Sequence, residues 1–438
     1  MLLLDAIIVL AAILFGVRKG GMALPLTGFA GLAVLAFFCG VKPSSPPYTV
    51  MMIILAVTAL GGCLQCAGGL DYLIDIAGKI LRLKPNRVTL IAPLIVFAFV
   101  VCTGTAQICM ALLPVISEVA RSAGVRPERP LSATCVAAAH GISASPLSAS
   151  TAALVGVLAN HGVSFGQMMM VLIPAITAAV VLGSLSVYKR GAELADDPEF
   201  QRRVKAGEVA PLQTNRPAYK PTKQARVSVA IFVASIFLIL LFGTFSNLLP
   251  HYTVNGKTTT LSIAYTIEII CLTAGALMIY FCGANPKKVS QTVVFQGGVY
   301  AVMMCFGIAF LTDSFFTAHK AEIIAMLGGI VREYPWLFAI GLMVMGAILM
   351  SQGATTVALM PIGVGLGIPA PYLLAMAPAV CTGWILPAQP SLITAVALDT
   401  TGSTTLGKWI FDHSCQRPGL IMTICSVAFG FVMVSIVF

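Results

Sequence analysis

Long apolar runs without charge alternate along the whole chain with short polar segments. No Asp, Glu, Lys or Arg occurs between Arg129 and Lys189, and none occurs between Glu333 and Asp399. A helix that crosses a bilayer needs about 20 mainly apolar residues, so each of these stretches can hold at least two crossings. The pattern predicts apolar segments near residues 2–17, 20–41, 50–70, 88–116, 131–160, 165–187, 227–249, 261–283, 289–311, 335–366, 371–398 and 418–438.

The composition excludes an ordinary soluble protein. Of the 438 residues, 58% are hydrophobic and 10% are charged. About 25% of the residues of a soluble domain are charged, so most of this chain cannot face water. The alternating segments of about ten residues that form transmembrane β-barrels are absent from the sequence. We therefore predict an all-α polytopic membrane protein.

The net charge of +10 does not indicate a nucleic acid partner. The basic residues lie in short loops beside apolar segments, as the positive-inside rule predicts. The first apolar run precedes Arg18 and Lys19, so we expect a retained first helix with an external N-terminus and not a cleaved signal peptide. The twelve cysteines are scattered, and the pair Cys63 and Cys66 has no second pair nearby. We expect neither a metal site nor a cofactor.

The apolar segment 88–116 is too long for one straight crossing. As one helix its 29 residues would measure about 44 Å, whereas the hydrocarbon core measures about 30 Å. The polar sequence TGTAQ, residues 103–107, interrupts it. Irregular backbone at membrane depth is tolerated only inside protein or beside a wet cavity. We predict a re-entrant helical hairpin with residues 103–107 at its tip.

The distribution of basic residues supports this hairpin. Residues 188–226 contain nine Lys or Arg against five acidic residues, and the charged residues of the loop 79–87 are all basic: Lys79, Arg82, Lys84 and Arg87. Both regions are expected in the cytoplasm. From an external N-terminus, three crossings place the loop 79–87 inside. Residues 188–226 then lie inside only if the segment 88–116 enters the membrane and returns to the same side. With this topology we predict that both termini are periplasmic.

The two halves of the chain repeat one order of features. Gly104 stands ten residues before Pro114, and Ser351 stands ten residues before Pro361. In each half a second broken run follows, HGISASPLSAS in the first and GWILPAQPSLITA in the second. We expect helix breaks at Pro114, Pro146, Pro361, Pro387 and Pro390.

Each half has six apolar segments, one of which enters the membrane and returns to the same side. The chain therefore crosses the membrane five times in each half, so the second half starts on the opposite side and should have the opposite orientation. We predict inverted repeats at residues 1–187 and 227–438, joined by a basic cytoplasmic linker at 188–226. Inverted repeats with discontinuous helices are typical of secondary transporters, which bind substrate near the midplane. Chance placement of Gly and Pro in membrane helices is the alternative.

Polar clusters at the four breaks form the candidate substrate site. They contain no basic residue, but the N-terminus of a half-helix carries free N–H groups and about half a positive charge. Helix N-termini and nearby hydroxyls bind anions. One set of them in each half of the chain would suit a substrate with an anionic group at each end. Any single hydroxyl more often bonds to its own helix. The candidates are Thr103, Gly104, Thr105, Gln107, Ser143, Ser145, Ser148, Ser351, Gln352, Thr355, Thr356, Gln389, Ser391 and Thr394.

Little in the sequence indicates an enzyme. It contains no HExxH motif, no phosphate-binding loop and no pair of intramembrane aspartates. We predict no catalytic residue. His140 and His161 are isolated, and a structural role is the simpler interpretation. Glu268 lies inside an apolar segment, where a carboxylate suggests function, and a proton relay is one hypothesis for it.

Several motifs, in order along nearly the whole chain, resemble the anaerobic C4-dicarboxylate transporter (Dcu) family, which belongs to a superfamily of ion transporters. The resemblance implies a carrier of anaerobic metabolism in the bacterial inner membrane, built as inverted repeats, that exchanges fumarate, succinate, malate or aspartate. The motifs are GVRKGG, LQCAGGLDYL, LLPVISEVA, RPERPLS, SASPLSA, REYPW, SQGAT, ILPAQPS and DTTGSTTLGKWIFDH.

The chain departs from the family pattern near the candidate site, so the resemblance leaves the preferred dicarboxylate open. The departures are at Ala106, Gln107, Ala139, Ala388 and Gln389. The leading interpretation is a C4-dicarboxylate antiporter that works by alternating access, and the alternative is a Na⁺- or H⁺-coupled symporter of a related carboxylate. A channel is disfavoured, because its pore should be lined along whole helices. The expected partners are small dicarboxylates and membrane lipid, and a homo-oligomer is left open.

Overall fold

The structure is a computed structural model that describes residues 1–19, 21–209, 220–254, 257–349, 351–385, 389–407 and 412–438. Helices form nearly all of its regular structure. Within these residues, eight helical stretches are long and apolar enough to cross a membrane. The predicted polytopic helical fold is therefore confirmed.

The first half forms a series of helices with one broken pair near its end. In chain order they are α1 (Leu2–Lys19), α2 (Ala23–Phe37), α3 (Tyr48–Cys66), α4 (Gly69–Leu83), α5 (Val88–Thr103), α6 (Gln107–Ser122), α7 (Glu128–Ala144), α8 (Ala149–Leu158) and α9 (Phe165–Val187).

The linker and the second half follow. The helices are α10 (Pro198–Lys205), α11 (Lys223–Thr244), α12 (Ile263–Cys282), α13 (Pro286–Val289), α14 (Val293–Met304), α15 (Phe310–Glu333), α16 (Leu337–Leu349), α17 (Gln352–Gly365), α18 (Ala370–Met376), α19 (Pro390–Leu398) and α20 (Gln416–Val437). A π-helical turn, Cys305–Ala309, connects α14 to α15. Strands β1 (His251–Val254) and β2 (Lys257–Thr260) form an antiparallel hairpin in which His251 pairs with Thr260.

Two expectations about local structure were wrong. The region around the predicted basic loop 79–87 is largely helix α4, whose residues Leu73, Ala77 and Leu81 are buried at a spacing of four. This spacing places them on one helix face, so the basic side chains occupy the other face. The predicted span 289–311 also continues much further, since α15 runs to Glu333. The β hairpin is a small exception to the all-α prediction.

The segment 88–116 folds into a helical hairpin, as its polar interruption predicted. Helices α5 and α6 pack against each other, and residues 103–107, here called tip 1, connect them. Gly104 has φ = 71°, a conformation that only glycine adopts without strain. A Cβ atom at Gly104 would lie 2.5 Å from the carbonyl oxygen of Leu147. The tip therefore packs directly against the backbone of the next element.

The second half contains the corresponding hairpin. Helices α16 and α17 pack against each other, and Ser351 caps the N-terminus of α17 by accepting a hydrogen bond from the Ala354 N–H at 3.4 Å. Residues 351–353 are here called tip 2. The two hairpins lie at equivalent places in the two halves, directly before the broken helices.

Each half then has a discontinuous helix. Helix α7 ends at Ala144 and α8 begins at Ala149, and the intervening residues 145–148, here called break 1, include Pro146. In the second half the helical region that begins with α18 ends at Val380, and α19 begins with Pro390 at its first position, where its missing N–H costs nothing. We call residues 381–389 break 2, of which residues 386–388, including the predicted break at Pro387, lie outside the described residues.

Two of the predicted helix-breaking prolines do not break helices. Pro114 lies inside α6, and Pro361 lies inside α17. An internal proline removes one backbone hydrogen bond and crowds the preceding turn, but the helix can continue through it. The breaks lie instead at the tips, several residues earlier, where glycine and capping side chains provide non-helical conformations.

Helix α7 lies at the centre of the protein. Every one of its residues except Ile142 is buried, and small side chains such as Ala137, Ala138 and Ala139 allow neighbouring helices to approach closely. It packs against α5, α6, α9 and α20, and α9 packs extensively against α20. A smaller apolar cluster joins α1 and α2 to α15 and to Leu349 and Ala354 beside tip 2.

Candidate substrate site

A cavity of about 420 Å³ lies where the two hairpin tips meet the two broken helices. Both halves of the chain line it, and no charged side chain lines it within the described residues. It brings together half of the residues predicted from the sequence. These are Thr103, Gly104, Thr105, Gln107, Ser351, Gln352 and Gln389.

Tip 1 is held by hydrogen bonds within its own segment. The Thr103 hydroxyl donates to the carbonyl of Phe99 at 2.8 Å, one turn earlier in α5. The Thr105 hydroxyl oxygen accepts a bond from the N–H of Gln107, the first residue of α6, at 3.3 Å. Its own proton has no acceptor among the described residues, so Thr105 can donate into the cavity.

Tip 2 is held by bonds to the opposite half of the chain. The Gln352 side-chain amide donates to the carbonyl of Ala139 at 2.7 Å, and its oxygen accepts from the Ser143 hydroxyl at 3.1 Å. Both partners lie on α7. Ser143 therefore contributes to the site through Gln352, although it does not line the cavity.

The remaining candidates do not line the cavity, and hydrogen bonds to other protein groups occupy most of their hydroxyls. Ser145 donates to the carbonyl of Val101 at 2.7 Å, and Ser148 caps α8 by accepting from the Thr151 N–H at 3.1 Å. Thr355 and Thr356 donate to carbonyls one turn earlier, at 2.7 and 2.8 Å. This back-bonding is the usual role of Ser and Thr in helices.

The last two candidates are on α19. Ser391 is buried and its hydroxyl has no hydrogen-bond partner among the described residues, but it does not line the cavity. Thr394 is half-buried, one turn further from the cavity. The structure therefore separates Gln389, which lines the cavity, from the two hydroxyls that follow it.

Four helices point their N-termini at this cavity. Helices α6, α8, α17 and α19 begin at Gln107, Ala149, Gln352 and Pro390, and each of these residues lines the cavity. The first turn of a helix has N–H groups without partners inside the helix, and it carries a partial positive charge. The cavity is therefore electropositive without any basic side chain, which suits carboxylate groups.

Over residues 1–438 the sequence matches the family described as anaerobic C4-dicarboxylate membrane transporter. The chain belongs to this family. The resemblance seen in the sequence motifs is thereby confirmed, and the protein is a multi-pass membrane transporter and not an enzyme.

Other members of the C4-dicarboxylate transporter family match over their full lengths. The anaerobic C4-dicarboxylate transporter DcuB of Escherichia coli O6:H1 is 34% identical over 445 residues, which cover 99% of this chain and 98% of DcuB. The C4-dicarboxylate transporter DcuA of Wolinella succinogenes is 34% identical over 439 residues, covering 100% of both chains.

The fold of this family member resembles that of solved transporters. The structure of Neisseria gonorrhoeae MtrF, described as illuminating a class of antimetabolite efflux pumps, superposes with a TM-score of 0.56 at 17% identity, over 92% of this chain and 84% of MtrF. The Alcanivorax borkumensis YdaH transporter, reported to have an unusual topology, gives 0.50 at 14% identity, over 93% and 88%. At these identities the similarity concerns the fold only.

Sequence analysis missed one wall of this transporter's cavity, which α3 and α14 provide. Thr58 on α3 packs directly onto Gly298 of α14, where a Cβ atom would overlap the threonine side chain. Gly297 and Tyr300 of α14 also line the cavity. The adjacent glycines 297 and 298 were the available signal, because glycine pairs in membrane helices mark close helix approach.

Residues that the sequence left as alternatives lie elsewhere. His140 is buried, and its ring nitrogens lie 3.0 Å from the Val136 carbonyl and 3.3 Å from the Thr423 hydroxyl. Its structural interpretation fits these contacts. Glu268 borders a separate pocket near Tyr48 and does not line the substrate cavity. Within the described residues, no group of three or more His, Cys, Asp or Glu side chains is arranged to hold a metal ion.

Proposed function

We propose that this transporter exchanges C4-dicarboxylates of the fumarate, succinate, malate and aspartate class across the bacterial inner membrane by alternating access. One observation carries the proposal: four helix N-termini, two from each half of the chain, meet at one uncharged cavity beside both hairpin tips. Two electropositive sets that border one cavity match an elongated substrate with a carboxylate at each end.

The proposed binding mode assigns one carboxylate to each tip. At tip 1, the first-turn N–H groups of α6 and the Thr105 hydroxyl would donate to one carboxylate. At tip 2, the N-terminus of α17 and the Ser351 hydroxyl would donate to the other. Gln107 and Gln389 add amide donors from the cavity wall. Charge-assisted bonds of this kind are about twice as strong as bonds between neutral groups.

We also propose the inverted repeats at residues 1–187 and 227–438, with 188–226 as the linker between them. The supporting observation is the matched order of elements: hairpin α5–α6, broken helix α7–α8 and long helix α9 in the first half. The second half has hairpin α16–α17, the broken run from α18 to α19, and long helix α20. Transporters with such repeats keep a fixed site between two units that rock against each other.

The proposed topology places both termini in the periplasm. Helix α2 has 15 residues and measures about 22 Å, short of a full crossing, but a short connection joins it to α1 and the two helices pack against each other, so as a pair they return the chain to its starting side. The linker lies beside the start of α7, where buried Arg129 donates to the carbonyl of Arg190 at 2.7 Å and pairs with Glu193 at 2.9 Å. An impermeant thiol reagent should label a cysteine at Arg190 only from the cytoplasm. Labelling from outside would contradict this topology.

Counterflow in proteoliposomes tests the function directly. Vesicles loaded with unlabelled fumarate should take up external labelled succinate, fumarate, malate or aspartate, whereas empty vesicles should not. Mono- and tricarboxylates at the same concentration should compete weakly, because they satisfy one tip only or overfill the cavity. Uptake that is equal in empty and loaded vesicles would contradict exchange.

A separate experiment tests the alternative of Na⁺-coupled symport. The carbonyl end of α5 at Thr103 and the end of a 3₁₀ turn at Val380 also border the cavity, and carbonyl oxygens bind hard cations. We expect exchange to continue when choline replaces Na⁺. If uptake ceases in choline, a symporter replaces the exchanger as the proposed function.

A further inference from the structure

One polar atom of the cavity wall is buried without a hydrogen-bond partner. It is Oε1, the side-chain amide oxygen of Gln389 in break 2. Among the residues that the structure describes, no other residue of the cavity lining has such an atom. We infer that this oxygen accepts a hydrogen bond from a hydroxyl group of the substrate, so that the site prefers a 2-hydroxy C4-dicarboxylate such as malate. This inference rests on the proposed function and specifies its substrate.

The place of Gln389 in the fold leaves its amide available to a ligand. Gln389 is the N-cap residue of α19, but its side chain makes no capping bond. The N-cap residues of α8 and α17, Ser148 and Ser351, both accept a hydrogen bond from an N–H of their own helix. The longer side chain of Gln389 instead lies beside Gly383, where a Cβ atom would be 3.4 Å from Oε1. Both Gly383 and Gln389 line the cavity.

The chemistry of the two tips leaves this acceptor without a partner when a plain dicarboxylate is bound. The first-turn N–H groups of α6 and α17 and the hydroxyls of Thr105 and Ser351 can donate to carboxylates, whereas an amide oxygen can only accept. The dianions of fumarate and succinate carry acceptors only. A hydroxyl group on C2 supplies the missing donor while each carboxylate keeps its tip. A substrate with this group therefore pairs Oε1 as well as both tips.

A hydroxyl group fits this cavity better than the ammonium group of aspartate. Four helix N-termini make the cavity electropositive, and no acidic side chain lines it within the described residues. An ammonium group would therefore find only neutral acceptors on the protein, and a buried charge without a counter-charge is costly. A neutral hydroxyl donates to Oε1 without this cost. We expect malate to bind more tightly than aspartate as well as more tightly than succinate.

The preference is measured as a ratio of dissociation constants. A ligand that leaves Oε1 without a donor should lose roughly five- to 150-fold in affinity, the range that corresponds to one unpaired buried group. Equilibrium binding to the purified protein at about pH 7.5, where the carboxyl groups are ionised, gives the constants for succinate, aspartate and both enantiomers of malate. The better enantiomer of malate should bind at least about fivefold more tightly than succinate.

Gln389→Leu removes the acceptor and keeps the approximate size of the side chain. Any bond from the lost amide N–H to a carboxylate affects malate and succinate alike, so their ratio isolates the contact with the hydroxyl group. The ratio should fall to near one. Gln65→Leu is the matched control, because Gln65 on α3 also has a buried amide oxygen without a partner among the described residues but does not line the cavity. It should keep the parental affinities and their ratio.

Three results would overturn the inference. Equal affinities for malate and succinate in the parent would mean that Oε1 needs no donor from the substrate. An unchanged ratio in Gln389→Leu would place the contact with the hydroxyl group elsewhere. Tighter binding of aspartate than of malate would make the donor an ammonium group. If Gln389→Leu does not fold, Gln389→Asn, which draws the amide back by one methylene group, should lower the ratio and decides by the same criterion.

Binding and counterflow together separate this inference from the proposed function. Saturable binding of dicarboxylates without a preference for malate overturns the inference alone. A preference for malate that Gln389→Leu abolishes, in a protein that shows no counterflow, supports the inference and overturns exchange. If no C4-dicarboxylate binds saturably, both are wrong.

Discussion

The two hairpin tips occupy equivalent places in the two halves but are held in different ways. Tip 1 is fixed within its own half: Gly104 packs against the Leu147 carbonyl, and the Thr103 and Thr105 hydroxyls bond to groups four and two residues away. Tip 2 is fixed across the halves, through the bonds from Gln352 to Ala139 and Ser143. Tip 1 is a self-contained turn, whereas tip 2 depends on its bonds to α7 in the other half.

This difference suggests that the two tips have different roles during transport. If the halves move relative to each other, tip 1 can keep its internal bonds, whereas tip 2 must exchange its bonds to α7 or carry α7 with it. A second contact between the halves, between the Ser150 and Thr356 hydroxyls at 3.2 Å, lies close to tip 2 as well. We expect substitutions at tip 1 to change the shape of the site, and those at tip 2 to change the coupling between the halves.

The largest effect should come from Gly104→Ala. Its positive φ disfavours a side chain by about 1–2 kcal/mol, and the added Cβ would also press on the Leu147 carbonyl from 2.5 Å. Because overpacking adds at least about 1 kcal/mol, we expect exchange to fall at least about thirtyfold. Initial rates of counterflow, normalised to the amount of inserted protein, measure this loss.

Gly124→Ala is the matched control for that prediction. Gly124 has φ = 69°, but an added Cβ would meet nothing within 4 Å. It carries the conformational penalty without the clash, and it lies between α6 and α7, outside the cavity lining, so the penalty does not act on the site and the variant should transport nearly like the parent. Equal rates for the two alanine variants would show that tip 1 does not depend on its close approach to break 1.

Gln352→Leu should have the next largest effect. It keeps the approximate size of the side chain but removes the Gln352 amide from the Ala139 carbonyl and leaves the Ser143 hydroxyl with only the Cys381 thiol, at 3.1 Å. An unpaired buried group costs about 1–3 kcal/mol, and a cost of about 1.4–2 kcal/mol within that range corresponds to a ten- to thirtyfold fall in exchange, which we expect here. Gln291→Leu, at an exposed position between α13 and α14, is the control and should leave exchange unchanged.

The two tips can be distinguished by comparing the effect of a substitution on the transport rate with its effect on substrate binding. If Gln352 couples the halves, Gln352→Leu should slow exchange while the equilibrium binding of substrate changes less. Equal losses of rate and binding would instead make Gln352 an ordinary ligand of the substrate. Binding measured by the quenching of intrinsic fluorescence, beside counterflow, distinguishes these outcomes.

Local features of the sequence were sufficient to predict both hairpins and both breaks. At tip 1 the signal was a glycine among polar residues inside a long apolar run, and the positive φ of Gly104 explains it. At tip 2 it was a serine before an apolar helix, which is now seen as an N-cap. The prolines were less informative, because Pro114 and Pro361 stand ten residues later, inside continuous helices.

The composition of the cavity was harder to predict because it depends on contacts between distant segments. Nothing local to Thr58 or Gly298 shows that α3 and α14 meet at the site. Likewise, a hydroxyl such as Ser145 looks like a ligand in the sequence, and only the fold shows that it bonds to Val101. Periodicity finds the elements, but it cannot say which polar atoms remain unpaired once the elements pack.

Removal of either hydroxyl that is proposed to bind the substrate, on Thr105 or on Ser351, should weaken the apparent affinity moderately and to a similar extent. Ser351→Ala removes the N-cap of α17, Thr105→Val removes the bond to the first N–H of α6, and each removes a donor to a carboxylate, so apparent affinity should weaken by about five- to tenfold in each. Ser186→Ala removes a hydroxyl that bonds to its own helix at 2.6 Å and should transport like the parent. Parental affinity in both tip variants would mean that the tips are structural joints only.

The smallest effect should come from Thr103→Val, two residues from Thr105 in the same tip. The Thr103 hydroxyl donates to the Phe99 carbonyl at 2.8 Å, and that carbonyl belongs to the last turns of α5. Valine preserves the shape of threonine, and a back-bond of this kind contributes little to a helix. We therefore expect less than about a threefold change in affinity for fumarate. A loss as large as that of Thr105→Val would mean that Thr103 leaves Phe99 to bind the substrate, and tip 1 would then be no more self-contained than tip 2.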